Sequence, residues 1–253
     1  MYLLFPHHPA EAWMDPREQA LIIKYLQIFN QTTNTRSAIM LEYGAGSSTF
    51  VYSVYVHRYV SIEHNLDYCR ILERMATSQP NRSITISYME SNLSGFVERN
   101  RFEQNRPQSN SIPSIQIYCI VPTYSTLFHR FWASRKRSTY SMYQNYVDFI
   151  STYLDNQLFD FVLIDGRARP QAAYVVLKHL NGLDAKVFVH DWNERSAYHV
   201  IKNEFYDIID QQIESEQIGG GGLVVLKRKP GITGKAKIDE IQWTNGERPS
   251  WWL

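Results

Sequence analysis

The chain has no run of apolar residues that approaches the ~18 of a membrane-spanning helix. Met1 to Phe5 is apolar but far shorter than a signal-peptide core, and no basic residue precedes it. A soluble, cytoplasmic protein is therefore expected. Cysteine is scarce, with only Cys69 and Cys119. They lack metal-type spacing and cannot build a disulfide framework, so two ordinary reduced thiols are expected. Excess charge of one sign is missing too. The 26 Lys and Arg nearly balance the 25 Asp and Glu, giving a net charge of +1, without the electrostatic footprint of a nucleic-acid-binding domain. Internal repeats and low-complexity tracts are absent. The sequons at Asn30, Asn81 and Asn92 match a tripeptide that is common by chance, and they decide nothing. What is present is a chain of 253 residues, 44% hydrophobic, long enough for one well-buried α/β domain with insertions.

The hydrophobic periods alternate along the chain. Asp15-Pro16 is an N-cap followed by proline at the first helical position, and Leu21, Ile22, Tyr25, Leu26 and Phe29 continue at helical spacing. Ala38 to Leu41 is a strand, Phe50 to Val56 a buried helix, and Tyr59, Val60 and Ile62 a second strand ending in Glu63. Asn65 caps a helix through Tyr68, Ile71, Leu72 and Met75, and Ile84, Ile86 and Tyr88 alternate as a third strand. From Ser91 to about Thr139 the pattern breaks down into an exposed loop around Pro107 and Pro113, a short apolar strand Ile115 to Val121, and a segment rich in aromatic and basic residues. A helix from about Met142 to Leu154 restores order. Phe159 to Ile164 is a buried strand ending in Asp165-Gly166, Pro170 opens a helix, and Val187 to Val189 leads into His190-Asp191. A helix from about Ser196 to Tyr206 precedes Ile208 to Ile213, and Gly219 to Gly222 turns the chain into Leu223 to Leu226. That short glycine link implies an antiparallel hairpin, because parallel strands need a crossover of a dozen or more residues.

Met40 to Thr49 is the most informative segment. An apolar strand runs into Glu42, then Gly44-Ala45-Gly46, then Ser47 and Ser48 at a helix start. Glycines let a backbone turn tightly and approach a ligand. A dinucleotide fingerprint asks for a third glycine, and Thr49 stands there instead. Glu42 beside the turn suits a cationic ligand better than a pyrophosphate, and S-adenosylmethionine carries a sulfonium and an ammonium. Ligands of open α/β sheets bind outside the carboxyl ends of the strands. Glu42, Glu63, Glu90, Asp165 and Asp191 all fall at or near such ends, and Glu63 lies where a carboxylate can take two ribose hydroxyls.

Over about Ala38 to Lys227 the chain resembles the class I S-adenosylmethionine-dependent methyltransferases. The resemblance implies a doubly wound, mostly parallel seven-stranded α/β sheet closed by a C-terminal antiparallel hairpin. One domain would cover residues 1–253, with a Rossmann-like core over about 15–229, an acceptor-side insertion over about 91–146 and a tail over 230–253. The cofactor would be held by Glu42, Gly44, Ala45, Gly46, Ser47 and Ser48, with Glu63 on the ribose, Glu90 or Ser91 near the adenine and Asp165 near the methionine moiety or the acceptor. The runs Leu163 to Arg169 and Val189 to Arg195, followed by Tyr198, resemble a sugar and small-molecule O-methyltransferase subgroup with Asp-Gly after the fourth strand and His-Asp after the fifth. In its metal-dependent members the two acids hold magnesium, which makes Asp165 and Asp191 candidate ligands. Trp192 departs from the Asn or Asp usual after the second acid.

O-methylation needs an acceptor hydroxyl that loses its proton as it attacks, through a base or a metal. Asp191, His190 and Asp165 are the candidate catalytic residues, and Arg169, Arg195 and Tyr198 the candidate acceptor-binding ones. The expected acceptor is a small molecule or glycan, with no nucleic acid and no membrane span. An acceptor lid is expected over Thr123 to Tyr146, where Tyr124, Phe128, Trp132, Tyr140 and Tyr143 could stack on rings and Arg130 and Arg137 reach polar groups, although aromatics so spaced more often fill a core. The rivals are an NAD-type dehydrogenase, a non-catalytic binding module, a nucleic-acid methyltransferase using the local basic run from Arg130 to Arg137, and a phenol methyltransferase.

Overall fold

The computed structural model describes residues 12, 14–33, 37–79, 81–92, 95–104, 114–121, 140–193, 196–199, 201–202, 205–213 and 221–232. Helix α1 (Pro16–Thr33) starts where Asp15-Pro16 places it. Asp15 Oδ1 accepts from the Arg17 amide at 2.8 Å, and Glu18 Oε2 accepts from the Asp15 amide at 3.0 Å. The N-cap side chain thus takes the N2 amide, and the N3 carboxylate reaches back to the N-cap amide as in a capping box. There follow β1 (Ile39–Tyr43), α2 (Ser47–Tyr52), β2 (Arg58–Glu63), α3 (Leu66–Thr77), β3 (Ser83–Asn92), β4 (Gly95–Gln104) and β5 (Ser114–Val121). The second half comprises α4 (Tyr140–Tyr153), β6 (Phe161–Ile164), α5 (Arg169–Val175), β7 (Lys186–His190), β8 (Tyr206–Gln212) and β9 (Leu223–Arg228).

The strands form one nine-stranded sheet in the order β4-β3-β5-β2-β1-β6-β7-β9-β8. Strands β5, β2, β1, β6 and β7 are parallel neighbours, while β9 lies antiparallel between β7 and β8. The terminal hairpin is as the glycine link implies. The count is not: nine strands replace the expected seven. The difference is the β3-β4 hairpin, antiparallel within itself, whose β3 pairs with β5. Thus β5, and not the strand after α3, is the neighbour of β2. The helix expected over Ser196 to Tyr206 begins as a short 3-10 turn, Ser196–His199.

Alternate residues of the parallel strands face opposite sides, as a pleat requires. Leu41, Tyr43, Val60, Ile62, Val162 and Ile164 pack on one face with α4 and α5, through Val147, Ile150, Ala172 and Ala173. Met40, Tyr59, Phe161 and Leu163 pack on the other with α1, α2 and α3, through Ile22, Leu26, Phe50 and Leu72. Burying both faces explains why these strands read as nearly unbroken apolar runs.

The two cysteines are not reduced thiols. Cys69 on α3 and Cys119 on β5 form a disulfide between Cα atoms 6.3 Å apart. Helix α3 lies across the sheet and brings together residues 50 apart in sequence, a proximity that spacing alone cannot reveal. Disulfides persist in oxidising compartments, so the pair speaks against the cytoplasmic expectation. No helix among the described residues is long and apolar enough to cross a membrane. The loop around Pro107 and Pro113, the lid residues Tyr124, Phe128, Arg130, Trp132 and Arg137, and the tail beyond residue 232 lie outside the described residues.

Candidate functional site

The order of the strands reverses between β1 and β6. From β1 the chain steps outward through β2 to β5, and from β6 it steps the other way to β7. Such a switch point opens a crevice at the carboxyl ends of the strands. Gly44 follows β1 with φ +94, a left-handed conformation that glycine adopts without a Cβ penalty. A Cβ there would stand 2.7 Å from the Cα and amide nitrogen of Gly166, in the loop after β6. The two loops therefore touch backbone to backbone. The Gly44 amide donates to Ile62 O at 2.9 Å, and the Asp165 amide donates to Tyr43 O at 2.9 Å, so the β ladder continues into both turns.

Glu42 lies beneath this loop, fully buried. The hydroxyls of Ser48, Thr49 and Ser61 all donate to its carboxylate. Thr49 Oγ1 also accepts from the Gly46 amide at 3.1 Å. Burial raises the Glu42 pKa to about 7, and these hydroxyls hold it back from going higher. Its oxygens are spent inside the protein, so Glu42 is a brace for the glycine turn rather than a direct cofactor contact. Ser47, Ser48 and Ala45 are buried around it. Thr49, which breaks the dinucleotide fingerprint, and Ser61 are parts of that brace, and no sequence spacing singled out Ser61.

Glu63 ends β2 and is buried. Its Oε1 accepts from the amides of His64 at 2.9 Å and Asn65 at 2.7 Å. Burial raises its pKa to about 8, with the two amides pulling the other way. Glu90 is placed differently from the expectation. It sits on β3, one strand beyond β5, with its half-exposed side chain ion-paired to Arg99 of β4. The inserted hairpin moves this acid outward from the crevice, and the end of β5 takes its expected place.

At the ends of β6 and β7 lies a network of charges. Asp165 and Asp191 both pair with Arg169 Nη2, at 3.2 and 2.8 Å. The guanidinium also donates to Gly166 O at 3.0 Å, to Asp165 O at 3.1 Å and, through Nη1, to His190 O. Its Cζ lies 5.5 Å from the centre of the buried Tyr198 ring, within cation–π range. Burial alone would lower the Arg169 pKa, but Tyr198, Asp191 and Asp165 reverse this and hold it charged. Arg169 and Tyr198, expected to bind the acceptor, are thus an internal strut and its platform. Arg195 lies outside the described residues.

His190 is buried between two carboxylates, with Nδ1 2.8 Å from Asp165 Oδ1 and Nε2 3.2 Å from Glu18 Oε2. Burial pulls its pKa down, yet Asp165 and Glu18 outweigh this and bring it to about 10. At neutral pH the ring is an imidazolium with both nitrogens donating. It has no lone pair with which to act as the expected base. Glu18, fully buried, also accepts from the Gly222 amide. The sequence held a clue to Glu18 in its spacing from Asp15, the capping-box pattern, but nothing tied it to His190. Asp191 adopts φ +56, the left-handed region that aspartate tolerates better than most residues. The next residue, Trp192, is buried in the core, and its amide donates to Gly222 O at 2.9 Å. That anchoring explains its departure from the metal-site pattern.

Ligand atoms of Asp165, His190 and Asp191 lie within 4.8 Å of one another, a spacing that could take a metal. The donor set does not fit magnesium, which prefers oxygen ligands and water in an octahedron. A guanidinium already bridges the two carboxylates, and the third donor is a protonated nitrogen.

No protein-family profile matches the chain, and no curated protein matches it in sequence. Solved structures do resemble it. A methyltransferase-like protein from Silicibacter pomeroyi superposes with a TM-score of 0.54 at 17% identity, over 92% of this chain and 96% of that one. N-methyltransferase NodS from Bradyrhizobium japonicum gives 0.44 at 11% identity, over 85% and 97%. A putative methyltransferase from Streptococcus mutans, solved with S-adenosylhomocysteine, gives 0.42 at 10%, over 85% and 100%. The first likeness shows that the chain has a methyltransferase-like fold.

Proposed function

We propose that the chain is an S-adenosylmethionine-dependent methyltransferase that O-methylates a hydroxyl-rich acceptor, with a saccharide as the leading class. The observation that carries this reading is the Glu63 carboxylate at the end of β2. Among the described residues only its Oε1 is bonded to backbone amides, and it stands beside a glycine turn closed against Gly166. A buried carboxylate with acceptor capacity to spare suits the two hydroxyls of a ribose.

Bound S-adenosylmethionine would supply an electrophilic methyl group on a positively charged sulfur. Glu63 takes the ribose hydroxyls, and Gly44 and Gly166 let the backbone approach closely. Asp191 and Asp165 keep side-chain exposures of 15% and 22%, so they are the members of the charge network that an acceptor can reach. In this reading Asp191 takes the proton of the attacking hydroxyl, and Asp165 accepts from a neighbouring hydroxyl. His190 and Arg169 act through them as positioning cations. No step needs a metal ion.

The test is a screen of hydroxylated acceptors with methyl-labelled cofactor, in the presence and absence of EDTA. Transfer to a saccharide that persists in EDTA and falls about 10²–10⁴-fold in Asp191→Asn supports the reading. Transfer only to amines, or complete loss with EDTA, overturns it.

A further inference from the structure

Helix α4 presents one polar group that the charge network leaves unused. Tyr146 is almost fully buried, and its hydroxyl has no hydrogen-bond partner among the described residues. Tyr59 on β2 shares this state, while two other buried tyrosines are satisfied. Tyr43 Oη donates to Val147 O at 2.8 Å, and Tyr206 Oη donates to Ala173 O at 2.6 Å. Buried polar groups are normally paired, so an orphan within a well-packed site asks for an explanation.

The position of the hydroxyl gives one. A Cβ built on Gly166 would lie 2.0 Å from Tyr146 Oη, so only glycine at 166 lets the hydroxyl reach the seam between Gly44 and Gly166. The ring cannot swing away. It packs edge-on against Tyr43 at 5.3 Å and against His64 at 5.2 Å, and His64 in turn meets Tyr143 at 5.0 Å. His64 Nδ1 lies 3.2 Å from Glu63 Oε1, which ties this aromatic cluster to the ribose acid. Tyr143, expected in an acceptor lid, is a buried member of the cluster.

We propose that the Tyr146 hydroxyl receives the amino-acid end of the bound nucleoside cofactor at the Gly44–Gly166 seam. This rests on the S-adenosylmethionine reading above. With the ribose on Glu63 and the acceptor at Asp165 and Asp191, the seam lies between them, where the cofactor's chain must run. A phenol both donates and accepts, which matches a group carrying a carboxylate and an ammonium. Burial, reinforced by Glu63, keeps the phenol protonated. The acceptor itself enters from the exposed acids, and Tyr146 is too deep to meet it.

Tyr146→Phe removes the hydroxyl and keeps the ring. Two ligands locate its partner by titration calorimetry: S-adenosylhomocysteine, and 5′-methylthioadenosine, which lacks the amino-acid end. The variant is expected to bind S-adenosylhomocysteine about tenfold more weakly, the worth of one hydrogen bond to a charged group, and 5′-methylthioadenosine as tightly as the parent does. Its melting temperature without ligand is expected to be equal or higher, because an unpaired buried group is lost. Glu63→Gln is expected to weaken both ligands. Equal weakening of both ligands by Tyr146→Phe, or no weakening of either, overturns the assignment of Tyr146. Failure of the parent protein to bind either ligand overturns the cofactor reading itself.

Discussion

Removing Arg169 is the sharpest perturbation of the site. Its side chain is 6% exposed and joins two carboxylates and three backbone carbonyls across the ends of β6 and β7. Arg169→Ala takes a buried cationic donor away from all five acceptors. Breaking a buried pair by removing one partner costs about 3–5 kcal/mol. The lower part of that range applies, because water can reach Asp165 and Asp191, whose side chains are 22% and 15% exposed. A loss of about 3 kcal/mol in urea unfolding is expected, or roughly 6–12 °C in melting temperature for a chain of this length. Arg169→Lys keeps the charge but not the planar five-donor fork, and it should recover less than half of the loss. Once the guanidinium is gone, Asp165 and Asp191 lose the cation that bridges them and keep only the His190 imidazolium beside them. Millimolar magnesium should leave the parent unmoved. A loss under about 1 kcal/mol, as for a surface pair, or a parent protein stabilised by magnesium, refutes the assignment of Arg169 as the built-in cation.

Three further outcomes follow from the same geometry. Burial raises Glu63 to about 8 and Glu42 to about 7. Between about pH 4.5 and about pH 8 the folded chain therefore holds protons that the unfolded chain has released, so unliganded stability falls as pH rises through that window, and Glu63→Gln flattens the slope in a pH series of melts. Ribose hydroxyls favour the ionised carboxylate, so affinity for S-adenosylhomocysteine should rise with pH up to about 8 in the parent and stay level in that variant. Glu18→Ala loses a capping box and the Nε2 partner of His190, and chemical denaturation should register about 2–4 kcal/mol. Reducing the Cys69–Cys119 bond, or Cys69→Ser, should cost about 2–4 kcal/mol by the same assay, and an unchanged unfolding midpoint in reductant would show that the bond does not form in solution.

The glycine turn and the parallel core were legible because their causes are local. Asp15-Pro16 marked α1, the apolar runs marked β1 and β2 as strands buried on both faces, and Gly219 to Gly222 implied the closing hairpin. The β3-β4 hairpin was missed on its second strand. Residues 95–104 read Gly-Phe-Val-Glu-Arg-Asn-Arg-Phe-Glu-Gln, and none of them is buried, so they give no apolar alternation. An edge strand that carries charge guards against pairing with other chains, and the same charge hides it from a periodicity reading.

Within the site, the strand-end acids were visible but their partners were not. Glu42 was read as facing a ligand, yet Ser48, Thr49 and Ser61 satisfy it from below. His190 was read as a base, yet Glu18, 172 residues away in sequence, holds it as a cation together with Asp165. Arg169 was read as an acceptor ligand, and its guanidinium turns inward instead. All three corrections depend on long-range neighbours, which composition and spacing do not encode. Tyr146 was passed over for the same reason, since a helical tyrosine reads as core until its hydroxyl is found without a partner.

The central claim is that this fold holds S-adenosylmethionine through Glu63. Isothermal titration of the parent protein and of Glu63→Ala with S-adenosylhomocysteine, alongside NAD, tests it most directly. The account predicts binding of S-adenosylhomocysteine by the parent, none of NAD, and a loss of about 1.5–3 kcal/mol for each charge-assisted hydrogen bond removed in the variant. Binding of NAD in preference to S-adenosylhomocysteine, or equal affinity of parent and variant, would contradict it.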